Sequence, residues 1–282
     1  MVIDVHTHSF PEKISAKVVE KLQEAAKSKA YTLATDRALI ESMKAAGIDV
    51  SILLPVATNE GQVEKLNSIA AEKNSHFAET ELFSLGAMHP DYEEYEIELK
   101  RLKSLGITGI KLHPAYQAVD LDDIRYLRII EKACELDLAV IIHAGLDIGI
   151  PHHNFSSPKH IENVMKTVAP KNFVLAHLGG WKGWDEVEKS LCGMDLYMDT
   201  AFVLGSYEPP KGVYVSEEEK IMLSDEQFIR IVKKHGADKV LFGTDSPWSD
   251  QSETLLKVKS LIKDEADQEA ILYKNAKTVF KI

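Results

Sequence analysis

Short apolar runs rich in Val, Ile and Leu recur along the chain between longer segments of helical period. Eight can be counted, at 2–6, 50–55, 82–88, 108–113, 138–143, 172–177, 196–199 and 239–243. Most are nearly continuous in apolar residues rather than alternating, which is the pattern of strands covered on both faces of a parallel sheet. Between them lie helices with readable ends. Thr35 and Asp36 open a run through Ala46 that Gly47 stops, and Asp91 opens another that reaches Leu105 before Gly106. Ser157-Pro158 puts proline at a first helical position, and Ser224 with Gln227 spells a capping box for a helix ending at His235-Gly236. Strand and helix in alternation build either an open doubly wound sheet or a closed barrel. Eight strands without a large break favour the α/β fold of the (β/α)8 TIM barrel, whose typical size is about 250 residues. No linker, repeat or low-complexity stretch interrupts the pattern, so residues 1–282 are expected to form a single domain. Two connections, 144–158 and 200–223, are longer than the rest and are expected over the barrel mouth as lids or specificity loops.

Composition then removes whole classes of function. The 33 Lys+Arg against 44 Asp+Glu give a formal charge of −11, and no basic stripe stands unmatched by acids, so nucleic acid is not an expected partner. Only two cysteines occur, Cys134 and Cys192, too few for a disulfide framework or a cysteine-based zinc site. The strand pattern begins at Val2 without a signal-peptide pattern, and no apolar run approaches the roughly 18 residues of a membrane span. The expectation is a cytoplasmic protein with no membrane partner and a small-molecule substrate. The unusual number is 11 histidines.

Their positions matter more than their count. In Asp4-Val5-His6-Thr7-His8, an unbroken period of two places Asp4, His6 and His8 on one face and turns Val5 and Thr7 toward the helices. His6 and His8 are then about 7 Å apart at Cα and can lean onto one ion. Taken alone, such a pair is weak evidence, since histidines at this spacing arise by chance and are more often satisfied core residues than ligands. Three later runs, however, also deliver an ionisable residue at their C-terminal ends: His143, His177, and Asp245 after Gly243-Thr244. Burying such groups singly is costly, so together they imply mutual compensation or a metal, and in an eight-stranded barrel they can meet near the axis.

These stretches, with Gly109-Ile110-Lys111-Leu112-His113-Pro114, His143-Ala144-Gly145, His177-Leu178-Gly179-Gly180, Gly243-Thr244-Asp245-Ser246-Pro247 and the closing Asn275-Ala276, resemble the amidohydrolase superfamily over nearly the whole chain. The resemblance is greater to its amidohydrolase-2 branch of metal-dependent TIM-barrel proteins. That branch holds amide, ester and lactone hydrolases, and decarboxylases similar to 2-amino-3-carboxymuconate-6-semialdehyde decarboxylase. The resemblance implies that His6, His8, His143 and Asp245 ligate one divalent metal, most often Zn2+, with Mn2+ or Fe2+ also suited to imidazole and carboxylate. It implies catalytic roles for Asp245 and His177, moving the proton of a metal-bound water whose pKa falls toward about 7. Lys111 opens a second possibility, because in binuclear superfamily members a lysine at this place is carboxylated and bridges two ions, with His143 and His177 on the second. One ion is usual in the branch and is expected here, leaving Lys111 to hold a substrate carboxylate or pair with Asp245. His89, His113, His152 and Trp181 are further candidates for substrate contact at the mouth, against the plainer alternative of loop packing. The expected function is metal-dependent hydrolysis of a small amide, ester or lactone. The alternative is non-oxidative decarboxylation of a small carboxylic acid. Homodimers are common among similar proteins.

Overall fold

The computed structural model describes residues 1–205 and 207–282. Its strands are β1 (Ile3–Thr7), β2 (Val50–Leu53), β3 (Leu82–Ser84), β4 (Gly86–Ala87), β5 (Gly109–Leu112), β6 (Ala139–Ile142), β7 (Phe173–Leu175), β8 (Tyr197–Asp199) and β9 (Val240–Leu241). The third expected run is thus divided at Leu85, whose N–H still reaches Leu53 O at 3.0 Å, so β3 and β4 follow one path. Every strand pair is parallel and joins sequence neighbours. The ring closes between its first and last strands through Val5 N–H to Phe242 O (2.9 Å), Asp245 N–H to His6 O (2.8 Å) and His8 N–H to Ser246 O (2.7 Å). The expected TIM barrel is the fold found.

Strand alternation divides the apolar residues into two clusters. Val5, Ile52, Leu85, Ile141, Val174 and Leu241 come from strands all around the ring yet pack together, so they fill its interior. Val279 and Phe280 of the helix Asn275–Phe280 join them from one end. The alternate positions, such as Ile110, Val140, Phe173 and Val240, pack outward with helix residues such as Leu99, Ile129 and Phe228.

β1 departs from expectation. Its register against β2 shifts between Asp4 and Thr7, which breaks the assumed period of two. Ile3 and Val5 therefore fill the interior. Asp4 instead accepts hydrogen bonds from Thr244 Oγ1 (2.6 Å), Thr244 N–H (3.0 Å) and Gln251 Nε2 (2.7 Å), so it ties β1 to the chain after β9 and leaves the group of His6 and His8.

Helix ends follow the local chemistry closely. Thr35 Oγ1 accepts from Ala38 N–H at the start of Asp36–Ala46, and Gly47 ends it at φ 73°. Ser157 caps Pro158–Thr167. Ser224 caps Asp225–His235, but the Gln227 side chain bonds Asp185 rather than returning to the cap, so the expected box is half formed. The helix expected from Asp91 begins at Tyr95, because Asp91 is engaged by Arg125 at 2.7 Å and the chain turns through 90–94. Among the described residues, no helix is long and apolar enough to cross a membrane.

Candidate metal centre

Parallel strands in a ring end at one rim, and the polar residues that follow each apolar run meet there. His8 Nε2 lies 3.1 Å from Asp245 Oδ1, and His6 Nε2 lies 3.4 Å from the same oxygen. His143 Nδ1 is 3.0 Å from His177 Nε2, and the His177 ring centroid is 5.3 Å from that of His6. One ligand atom from each of His6, His8 and Asp245 falls within 4.8 Å of the others.

The far nitrogens decide what these short contacts mean. His6 Nδ1–H donates to Asp199 Oδ2 (2.8 Å), His8 Nδ1–H to Leu54 O (3.0 Å), His177 Nδ1–H to Ala201 O (2.9 Å) and His143 Nε2–H to Leu146 O (3.3 Å). A neutral imidazole has one N–H, so the four nitrogens left over are lone-pair acceptors. They are the same nitrogens that face Asp245 or each other. Acceptors 3.0–3.4 Å apart repel unless a proton or a metal ion lies among them. Protonation is disfavoured: burial, then the charge of Lys111, holds the His6 pKa well below its ordinary value. Burial likewise holds down those of His143 and His177. A divalent cation answers the contacts of His6 and His8 with Asp245, since ligands at about 2.1 Å from one ion lie about 3.0–3.4 Å apart. Each far N–H bound to an oxygen is also the arrangement that orients metal-ligating histidines. The donor set fits a metal.

Two strand ends are held in left-handed backbone conformations that non-glycine residues rarely adopt: His177 (φ 59°) with Leu178 (φ 51°), and Asp245 (φ 65°). Each costs about 1 kcal/mol or more. His177 N–H on Asp199 Oδ1 and Asp245 N–H on His6 O hold them in place.

A family model for amidohydrolases matches residues 3–282. The chain belongs to the amidohydrolase family. No curated protein matches it by sequence. Among solved structures, this amidohydrolase is similar to 2,6-dihydroxybenzoate decarboxylase from Rhizobium, with 16% identity and a TM-score of 0.71 over 99% of this chain and 98% of that one. It is also similar to 5-carboxyvanillate decarboxylase from Sphingomonas paucimobilis (14%, 0.67, 100% and 99%). A third is a dihydroxybenzoic acid decarboxylase from a Polaromonas species with bound manganese (18%, 0.67, 99% and 96%). At these identities the likeness is one of fold.

Around the cup, the amidohydrolase barrel gathers some expected residues and not others. Lys111, 1% exposed, has its Nζ buried without a hydrogen-bond partner. Burial lowers its pKa to about 8, against the opposing pull of Asp199 and Asp245. His113 stacks on His143 (4.3 Å between centroids, 15°), and Tyr116 stacks on its other face (3.9 Å, 19°). Asp147, in the loop after β6, places Oδ2 3.7 Å from Nε2 of both His113 and His143, and burial raises its pKa to about 6. His113 Nδ1 accepts from Tyr116 N–H, so its Nε2, like that of His143, carries the hydrogen. Asp147 therefore faces two donors, which suits a carboxylate acceptor rather than a second cation cup. His89 is not joined to this group, since its Nδ1 accepts from Asp91 N–H in its own turn. His152 is exposed. Trp181 packs beside Trp184 and Phe202, with its Nε1 buried without a hydrogen-bond partner. Asp147, Asp199 and Tyr116 were not anticipated from sequence. Asp199 had a signal, because it closes the seventh apolar run as His143 and His177 close theirs.

Proposed function

We propose that this amidohydrolase is a metal-dependent, non-oxidative decarboxylase of a small carboxylic acid. The observation that carries the reading is Lys111, a buried ammonium beside the cup with no hydrogen-bond partner. An unpaired charge in a dry interior is strongly disfavoured, and a substrate carboxylate is the ligand that would complete it. The decarboxylases of similar fold support the same direction, and the manganese bound by the Polaromonas protein makes Mn2+ the first ion to test, with Zn2+ and Fe2+ next. In this reading His6, His8, His143 and Asp245 hold one ion, which supplies Lewis-acid polarisation of the substrate oxygens when bound. Lys111 orients the carboxylate. When the carbon–carbon bond breaks, carbon dioxide departs, the electron pair stays on the substrate carbon, and a proton must be delivered there. His177, kept neutral by burial, can carry it: Nδ1–H is fixed on Ala201 O, so Nε2 takes a proton from solvent water and gives it to the substrate carbon.

Hydrolysis of a small amide, ester or lactone is the competing chemistry, and product analysis separates the two. Protein loaded with Mn2+ or Zn2+ is offered arylcarboxylic acids and, separately, a panel of lactones, esters and amides. Carbon dioxide released in step with loss of acid supports the proposal. Addition of water to the second panel with no carbon dioxide from the first overturns it.

A further inference from the structure

Asp199 is the last residue of β8 and is completely buried. Its Oδ1 accepts two backbone N–H groups, from His177 (2.9 Å) and Ala201 (3.0 Å), and its Oδ2 accepts His6 Nδ1–H (2.8 Å). Every partner is a donor, which is the environment of an ionised carboxylate. The two backbone bonds leave the carboxylate no freedom to turn, so Oδ2 is held toward His6. His8, His143 and His177 send their far N–H groups to carbonyl oxygens, whereas His6 sends its own to a charged group.

We propose that Asp199 is a positioning residue whose carboxylate fixes the His6 tautomer, thereby aiming the lone pair of His6 Nε2 into the metal cup while anchoring the backbone of His177. The inference rests on the metal-centre reading above and adds to it the group that presents one ligand correctly. Asp199→Asn is nearly isosteric. The two backbone N–H groups keep the amide oxygen, because an amide NH2 cannot accept them, and this turns Nδ2–H2 toward His6 Nδ1. His6 Nδ1 must then accept, its hydrogen moves to Nε2, and the lone pair leaves the cup.

The test measures both the tautomer and the metal. Nitrogen-15 NMR of the imidazoles in metal-free protein should show His6 protonated at Nδ1 in the wild type and at Nε2 in Asp199→Asn. Competition with a chelator should show Mn2+ or Zn2+ bound about 10- to 100-fold more weakly by the variant. Affinity within about threefold of wild type, with Nδ1 still protonated, overturns the proposal. So does a wild-type His6 found protonated at Nε2, a result that needs no variant to fold. A wild type with the Nδ1–H tautomer but no metal affinity would instead overturn the metal-centre reading and leave the Asp199–His6 pairing standing.

Discussion

Lys111 is asked to be buried and charged at once, and its surroundings fall short of compensating it. Its pKa moves from 10.5 down to about 8. Below pH 8 the ammonium is charged in both the folded and unfolded chain, and the folded protein bears the whole penalty, about 3 kcal/mol. Between pH 8 and 10.5 the folded state releases its proton first, so this contribution makes stability rise with pH across that window. Lys111→Met should therefore stabilise the metal-free protein by about 1–3 kcal/mol at pH 7, flatten the rise above pH 8, and abolish turnover. Denaturant titrations at pH 7 and 9 check this, and a variant less stable than wild type at pH 7 contradicts it. Two further substitutions separate roles within the cup. Asp245→Asn should weaken metal binding by more than the roughly 10- to 100-fold that outer partners of a site control. His177→Asn should keep most of the affinity and lose turnover, because an amide cannot relay a proton. Equilibrium metal titration with a turnover assay distinguishes them, and an active His177→Asn enzyme would remove that residue from the chemistry.

At the scale of elements, what could be read from sequence depended on whether local pattern or partner strands set the geometry. Parallel strands buried on both faces are continuous in apolar residues, so an ionisable residue at or just past the end of a run stands out, and His143, His177 and Asp245 were visible for that reason. Asp4 was misplaced because its direction depends on the register shift against β2, a property of pairing that no stretch of β1 encodes alone. Asp147 was missed because it lies in a loop, where no periodicity marks which side chain turns inward. That loop is pinned to the one after β7 by Trp181 N–H on Ala144 O (2.9 Å) and Leu146 N–H on Trp181 O (3.2 Å). Gly145 permits the approach: its φ is +88°, and an added Cβ would collide with Trp181 N. Gly145→Ala should cost about 3 kcal/mol and weaken metal binding through displaced His143. A thermal melt within about 2 °C of wild type would contradict this.

The whole molecule divides its barrel by depth. Apolar side chains fill the interior and Phe280 helps close one end, while the other rim gathers imidazoles, carboxylates and one uncompensated ammonium. The closed ring is what makes those groups converge, because β1 and β9, farthest apart in sequence, become neighbours and bring His6 and His8 against Asp245. At that rim, the proposed cation centre accounts for the convergence. Anomalous diffraction at the manganese and zinc edges, from crystals grown with each ion, tests it most directly. One peak is expected, bonded to Nε2 of His6 and His8, to Nδ1 of His143 and to Asp245. A map with no peak there, or with its peak at His113 and Asp147 instead, would contradict it.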